Sequence, residues 1–116
     1  MQVDLEPVLG SESNKIRPAV IVSNDGANQA AERFGRGVIT VAPLTSNVTK
    51  VFPFQVLVSR HLDGTGLTAD SKVQAEQIRA VDRSRVVRHL GRLPRTLHEP
   101  LREALTLHLA LRAGRP

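Results

Sequence analysis

Apolar residues along this chain change period once, near residue 96. Before it they come in short, β-branched runs separated by turn residues; after it they recur at helical spacing. Val3–Leu5 reads as a short strand ended by Pro7, and Gly10–Lys15 as a polar loop. Arg17–Ser23 follows, in which Ala19-Val20-Ile21-Val22 has the length and branching of a core strand, and Asn24-Asp25-Gly26 closes it with turn chemistry. Within Asn24–Gly37 the pattern predicts a short helix over Ala27–Phe34. Val38–Leu44 alternates strongly and predicts a strand, with Pro43 marking its end as an edge or a bulge. Thr45–Thr49 is a loop of hydroxyls and an amide; Phe54–Ser59 is another strand, and Arg60–Asp70, with Gly64 and Gly66, another loop. Ser71–Val81 holds one or two short strands, Asp82 caps a helical turn through Val86, and His89–Leu93 is a last short strand.

Thr96–Arg112 carries the helical period. Leu97, Leu101, Leu105 and Leu109, with Ala104 and His108, make one stripe, while Leu107 and Leu111 lie off it. Thr96 and Glu99 have capping-box spacing, although Pro100 moves the start towards His98 or Glu99. Many short strands and one C-terminal helix predict an α+β fold, a small twisted antiparallel sheet or partly open barrel. A length of 116 residues suits a single domain over 1–116.

Charge narrows the function. The net charge is +5, and thirteen of the sixteen basic residues are arginine, whose planar guanidinium suits bidentate contact with phosphate or carboxylate. With three aromatic residues in all (Phe34, Phe52 and Phe54), recognition built on ladders of stacked bases is disfavoured. Absent cysteine excludes disulfides and thiolate zinc sites and fits a reducing cytoplasm. No apolar run approaches the ~20 residues a membrane-spanning helix needs. The four histidines lack metal-ligand spacing, and no phosphate-binding glycine loop occurs, so neither a metal site nor a nucleotide cofactor is indicated.

Three segments carry candidate chemistry. Pro18 pushes Arg17 to extended geometry where a loop meets a strand, so its guanidinium is placed either to meet a phosphate or to pair with a carboxylate such as Glu12. Thr45-Ser46-Asn47 follows a strand directly and offers hydroxyl donors, or ordinary turn chemistry. QAEQIR sets an acid, two amides and an arginine on a strand-like segment; alternation places Gln74 and Glu76 on one side and Gln77 and Arg79 on the other, lining a groove or forming a solvated edge.

The order GSE-x3-IRPAVIVSN, VITVAPLTSN, SKVQAEQIRAVDRSR, then G-x-L and a helix resembles the MazF/PemK toxin family over essentially the whole chain. The resemblance implies a CcdB/MazF-type, SH3-like barrel. It implies a homodimeric toxin of a type II toxin-antitoxin system that cuts single-stranded RNA sequence-specifically and without metal by 2′-hydroxyl attack. It further implies a MazE-like antitoxin, expected to be acidic against the +5 charge. By the resemblance Arg17 and Thr45 are catalytic and Glu76 is the candidate base, while Glu12, Ser46, Asn47, Gln77 and Arg79 line or support the RNA groove. Relatives carry a longer segment before Val3-Asp4-Leu5, so part of the first strand is expected to be missing. The alternative from the same fold is a CcdB-like gyrase poison with no nuclease activity.

Overall fold

A computed structural model of the chain describes residues 2–5, 17–23, 33 and 37–111. Seven strands form the sheet: β1 (Gln2–Leu5), β2 (Arg17–Ile21), β3 (Val38–Thr45), β4 (Gln55–Val58), β5 (Ser71–Gln74), β6 (Arg79–Asp82) and β7 (Val86–Gly91). A helix, α1 (His98–Leu109), follows. Every pairing between them is antiparallel, in the order β4-β5-β3-β2-β1-β7, with β6 also on β3. The antiparallel sheet with a C-terminal helix is the architecture expected from the pattern. The helix expected over Ala27–Phe34 and the candidate Glu12 lie outside the described residues, Arg33 alone excepted.

β3 is the central strand, and Pro43 is neither at an edge nor in a bulge. On one side β3 pairs with β2; on the other it pairs with β6 through Val38–Val41 and with β5 through Leu44 and Thr45. The change of partner falls at Ala42 and Pro43, so the residue with no N–H occupies the gap between two ladders.

Strict alternation along β2 and β3 separates two apolar clusters. Val20, Ala42 and Leu44 join Val56, Val58, Val73, Ala75 and Leu93 beneath Leu101 and Ala104 of α1. Ala19, Ile39 and Val41 face the other way, with Ile21, Val81 and Val86 around them. Each Val or Leu buried in this way contributes about 1.5–3 kcal/mol relative to exposure, so a register slip would expose a whole face at once. The G-x-L signature has a physical basis: Leu93 is buried, and a Cβ at Gly91 would lie 2.1 Å from the Gly64 carbonyl oxygen. Glycine is required there because loop 59–70 presses on the end of β7, fastened by Arg92 N–H donating to Gly64 O at 2.7 Å.

Three local expectations need correction. Thr96 does not cap the helix: it lies inside a 3-10 turn, Arg95–Leu97, and the helix enters through Leu97 with no side-chain cap. Pro100 then occupies the third helical position, where its missing N–H has no intrahelical duty. The helix stops at Leu109 rather than Arg112, because Ala110 turns left-handed at φ 55°. His108 and Leu109 are exposed, so the buried stripe consists of Leu101 and Ala104 flanked by Leu97 and Leu105. Finally, QAEQIR does not alternate throughout. Ala75–Gln77 is a 3-10 turn that drives Ala75 into the core beneath α1, half-buries Glu76 and exposes Gln77.

Candidate nucleic-acid interface

The candidate residues gather on the sheet face turned away from α1. In the β2–β3 ladder Ala19 faces Pro43 and Ile21 faces Val41. The ladder ends there: Arg17, at the start of β2, and Thr45, at the end of β3, each lie two residues beyond the Ala19–Pro43 pair and in the same alternation phase. Residues in phase on paired strands point to the same side of a sheet. Arg17 is exposed and Thr45 half-buried. Proline holds the arginine extended and the strand pair sets its position, so a flexible side chain gains a fixed root next to a hydroxyl.

Thr45 Oγ1 accepts a hydrogen bond from Asn47 N–H at 3.2 Å, and Asn47 Oδ1 accepts from Thr49 N–H at 3.3 Å. These two local bonds hold the exposed Ser46-Asn47 turn, and they use only acceptor capacity on Thr45. The Thr45 hydroxyl keeps its proton to donate. Of the two sequence readings of this segment, the turn chemistry is present.

Glu76 lies in the 3-10 turn that follows β5, four residues after Lys72, the partner of Thr45. Its Oε2 accepts from Gln55 Nε2 at 2.9 Å, while the Gln55 side-chain oxygen accepts from Phe52 N–H at 3.0 Å. Gln55 is buried and both bonds assign its amide unambiguously, since a carboxylate can only accept and a backbone N–H can only donate. Glu76 Oε1 is shielded from solvent and has no partner among the described residues. One carboxylate oxygen is therefore anchored and the other uncommitted.

Gln77 and Arg79 fall on the far side of the turn. Arg79 begins β6 opposite Val41, and its Nε donates to the Gln77 carbonyl at 3.3 Å. Val41 is four residues from Thr45 along β3, so Arg79 stands roughly 13 Å from the Arg17–Thr45 pair. These residues are therefore spread along β3 and its neighbours rather than gathered in one pocket.

Sequence reasoning missed Lys72, Gln55 and the Phe52–Phe54 pair. Lys72 is the direct β5 partner of Thr45 and is buried, with its Nζ donating to the Lys50 carbonyl. The signal lay in SKVQ, where a lysine interrupts an otherwise buried strand. Nothing in the sequence pairs position 72 with position 45.

A twisted antiparallel sheet with one C-terminal helix is the fold of the CcdB/MazF type. Its family follows from comparison with known proteins. Residues 1–109 match the model of the PemK-like, MazF-like toxins of type II toxin-antitoxin systems, and the chain belongs to that family. It is 57% identical over 110 residues to endoribonuclease MazF9 of Mycobacterium tuberculosis, covering 95% of this chain and 92% of the relative. The fold superposes on the M. tuberculosis toxin MazF-mt6 with a TM-score of 0.75 at 19% identity, covering 95% and 97% of the two chains. A MazE–MazF complex from Deinococcus radiodurans gives a TM-score of 0.64 at 28% identity, over 83% and 87%. These matches do not favour a gyrase poison.

Proposed function

We propose that this chain is the toxin of a type II toxin-antitoxin pair and acts as a sequence-specific endoribonuclease on single-stranded RNA. The observation that supports the reading is the β2–β3 ladder, in which Ala19 faces Pro43 and Ile21 faces Val41, since Arg17 and Thr45 each lie two residues beyond its end. The family and the endoribonuclease relative support it.

The reaction needs one proton taken, one given and charge stabilised on phosphorus. The RNA 2′-hydroxyl attacks the adjacent phosphorus, its proton leaves to a base, the P–O5′ bond breaks, and the 5′-oxygen is protonated. The products are a 2′,3′-cyclic phosphate and a 5′-hydroxyl. Arg17 stabilises the extra negative charge, a task for which a permanently charged planar fork is suited. A permanently charged guanidinium is a poor acid, so water supplies the leaving-group proton. Thr45 and Ser46 donate to phosphate oxygens. Glu76 is the candidate base, while Asn47, Gln77 and Arg79 contact flanking nucleotides. The chain works as a homodimer in the cytoplasm. An acidic MazE-like segment lying along the same basic strip would neutralise it, as suits a +5 chain and a family relative crystallised with MazE.

The test is incubation of purified protein with a long defined RNA in EDTA, beside Arg17→Ala, with mapping of the ends. Discrete cuts ending in cyclic phosphate are expected, with the variant losing about 3 kcal/mol of transition-state stabilisation, a more than hundredfold drop in kcat/KM. Cleavage by Arg17→Ala at the wild-type rate would remove Arg17 from the mechanism.

A further inference from the structure

We propose that Phe52, with Lys50 and Lys72, forms a nucleotide subsite beside the Arg17–Thr45 pair, in which the ring stacks one unpaired nucleobase and the Lys50 ammonium holds its phosphate. The inference rests on the reading of this face as an RNA path, and it adds a stacking platform that the aromatic-poor composition argued against.

Phe52-Pro53-Phe54-Gln55 is a tight turn closed by Gln55 N–H donating to Phe52 O at 2.9 Å. Proline at its second position presets the backbone. The two rings lie parallel, 4° apart in plane, with centroids 5.4 Å apart. Phe54 is half-buried, whereas Phe52 leaves 41% of its surface in solvent. An exposed ring normally moves freely, but this one is backed by a second ring and pinned at its own N–H by Gln55, which Glu76 holds in turn. A platform fixed before binding loses little entropy when a base lands on it.

Charge supplies the other half. Lys50 Nζ lies 5.4 Å and Lys72 Nζ 5.8 Å from the Phe52 ring centroid. Lys72 is anchored on β5 directly opposite Thr45, so the subsite is continuous with the candidate catalytic pair. Both ammonium groups lie over the ring; Lys72 is held by the Lys50 carbonyl, whereas the exposed Lys50 side chain is free to swing to a phosphate as a base takes its place on the ring. The same chain of contacts gives Glu76 a second duty as a positioning residue for the platform.

The probe is a single-stranded oligonucleotide carrying 2-aminopurine at successive positions, 2′-deoxy throughout the scanned window so that it cannot be cut by 2′-hydroxyl attack. It is titrated against wild type, Phe52→Ala and Phe52→Trp, with circular dichroism confirming that both variants fold. Quenching is expected at one position with wild type and Phe52→Trp and is lost with Phe52→Ala, whose Kd rises about five- to hundredfold, the range for one stacked base. Quenching unchanged in Phe52→Ala, or quenching at no position, would overturn the subsite. So would a Phe52→Ala variant that loses affinity for an acidic peptide but keeps its RNA affinity. A wild-type protein that stacks this probe yet leaves all-ribose RNA intact would refute the nuclease and leave the subsite standing. One that cuts RNA with Phe52→Ala binding unchanged would do the reverse.

Discussion

Gln55→Leu is the substitution that most directly tests how this face is held together. Gln55 is buried at 9% exposure and bridges two segments, donating to Glu76 and accepting from Phe52 N–H. Leucine keeps the bulk and removes both bonds. It leaves the Phe52 N–H unpaired and deprives Glu76 of its partner at Oε2, when Oε1 already has none. An unsatisfied buried group costs about 1–3 kcal/mol and a charged one more, but Glu76 is only half-buried and water can recover part of the loss, so about 2–3 kcal/mol is expected in total. At this chain length each kcal/mol moves the midpoint by about 4 °C, which places the fall in Tm at about 8–12 °C. The assay is thermal unfolding by calorimetry at one fixed protein concentration, since self-association would shift the midpoint. Glu76→Leu and the double variant complete a cycle. With both polar partners gone, the double variant should recover about 1 kcal/mol or more relative to the sum of the singles. A Gln55→Leu midpoint within 2 °C of wild type, or single effects that simply add, would refute the bridge.

Three further outcomes test the remaining residues. Thr45→Ala should lower the cleavage rate by less than Arg17→Ala does and leave the circular dichroism spectrum unchanged; loss of fold would mean that its bond to Asn47 N–H is structural first. Glu76→Gln retains an oxygen that can accept from Gln55 but has no carboxylate base, so the acid limb of the pH–rate profile should disappear; an unaltered limb would transfer the base role to water. Asp82 accepts from Ser84 N–H at 2.9 Å, and that bond, then the Ser84 hydroxyl and the Arg85 charge, hold its carboxyl below the ordinary 3.8. A depressed folded pKa contributes stability above the unfolded value that is lost as pH falls from 3.8 through the folded value. Asp82→Asn should therefore flatten the acid side of a stability–pH curve, and an acid limb identical to wild type would count against the cap.

Much of this protein was decided within the sequence by local chemistry. Arg17-Pro18 before Ala19-Val20-Ile21, the alternation through β3, the Asp82 turn and the Leu101–Leu105 stripe each act over a few residues, where backbone sterics and side-chain period suffice. The motifs around Arg17, Thr45 and Glu76 were legible for the same reason, as short strings with fixed spacing. Tertiary structure decided what those strings meet. Pro43 sits in a central strand because β3 changes partners there, which no local rule foresees. Ala75 is pulled under α1, so QAEQIR coils at its centre and Glu76 turns to Gln55, twenty-one residues away. Lys72 is buried beside Thr45, with its ammonium over the Phe52 ring, only because β3, β4 and β5 lie side by side. Side-chain period determines which face of a strand is apolar, whereas the partners across a ladder are set by register between distant segments, and on this face the candidate site consists of such partners.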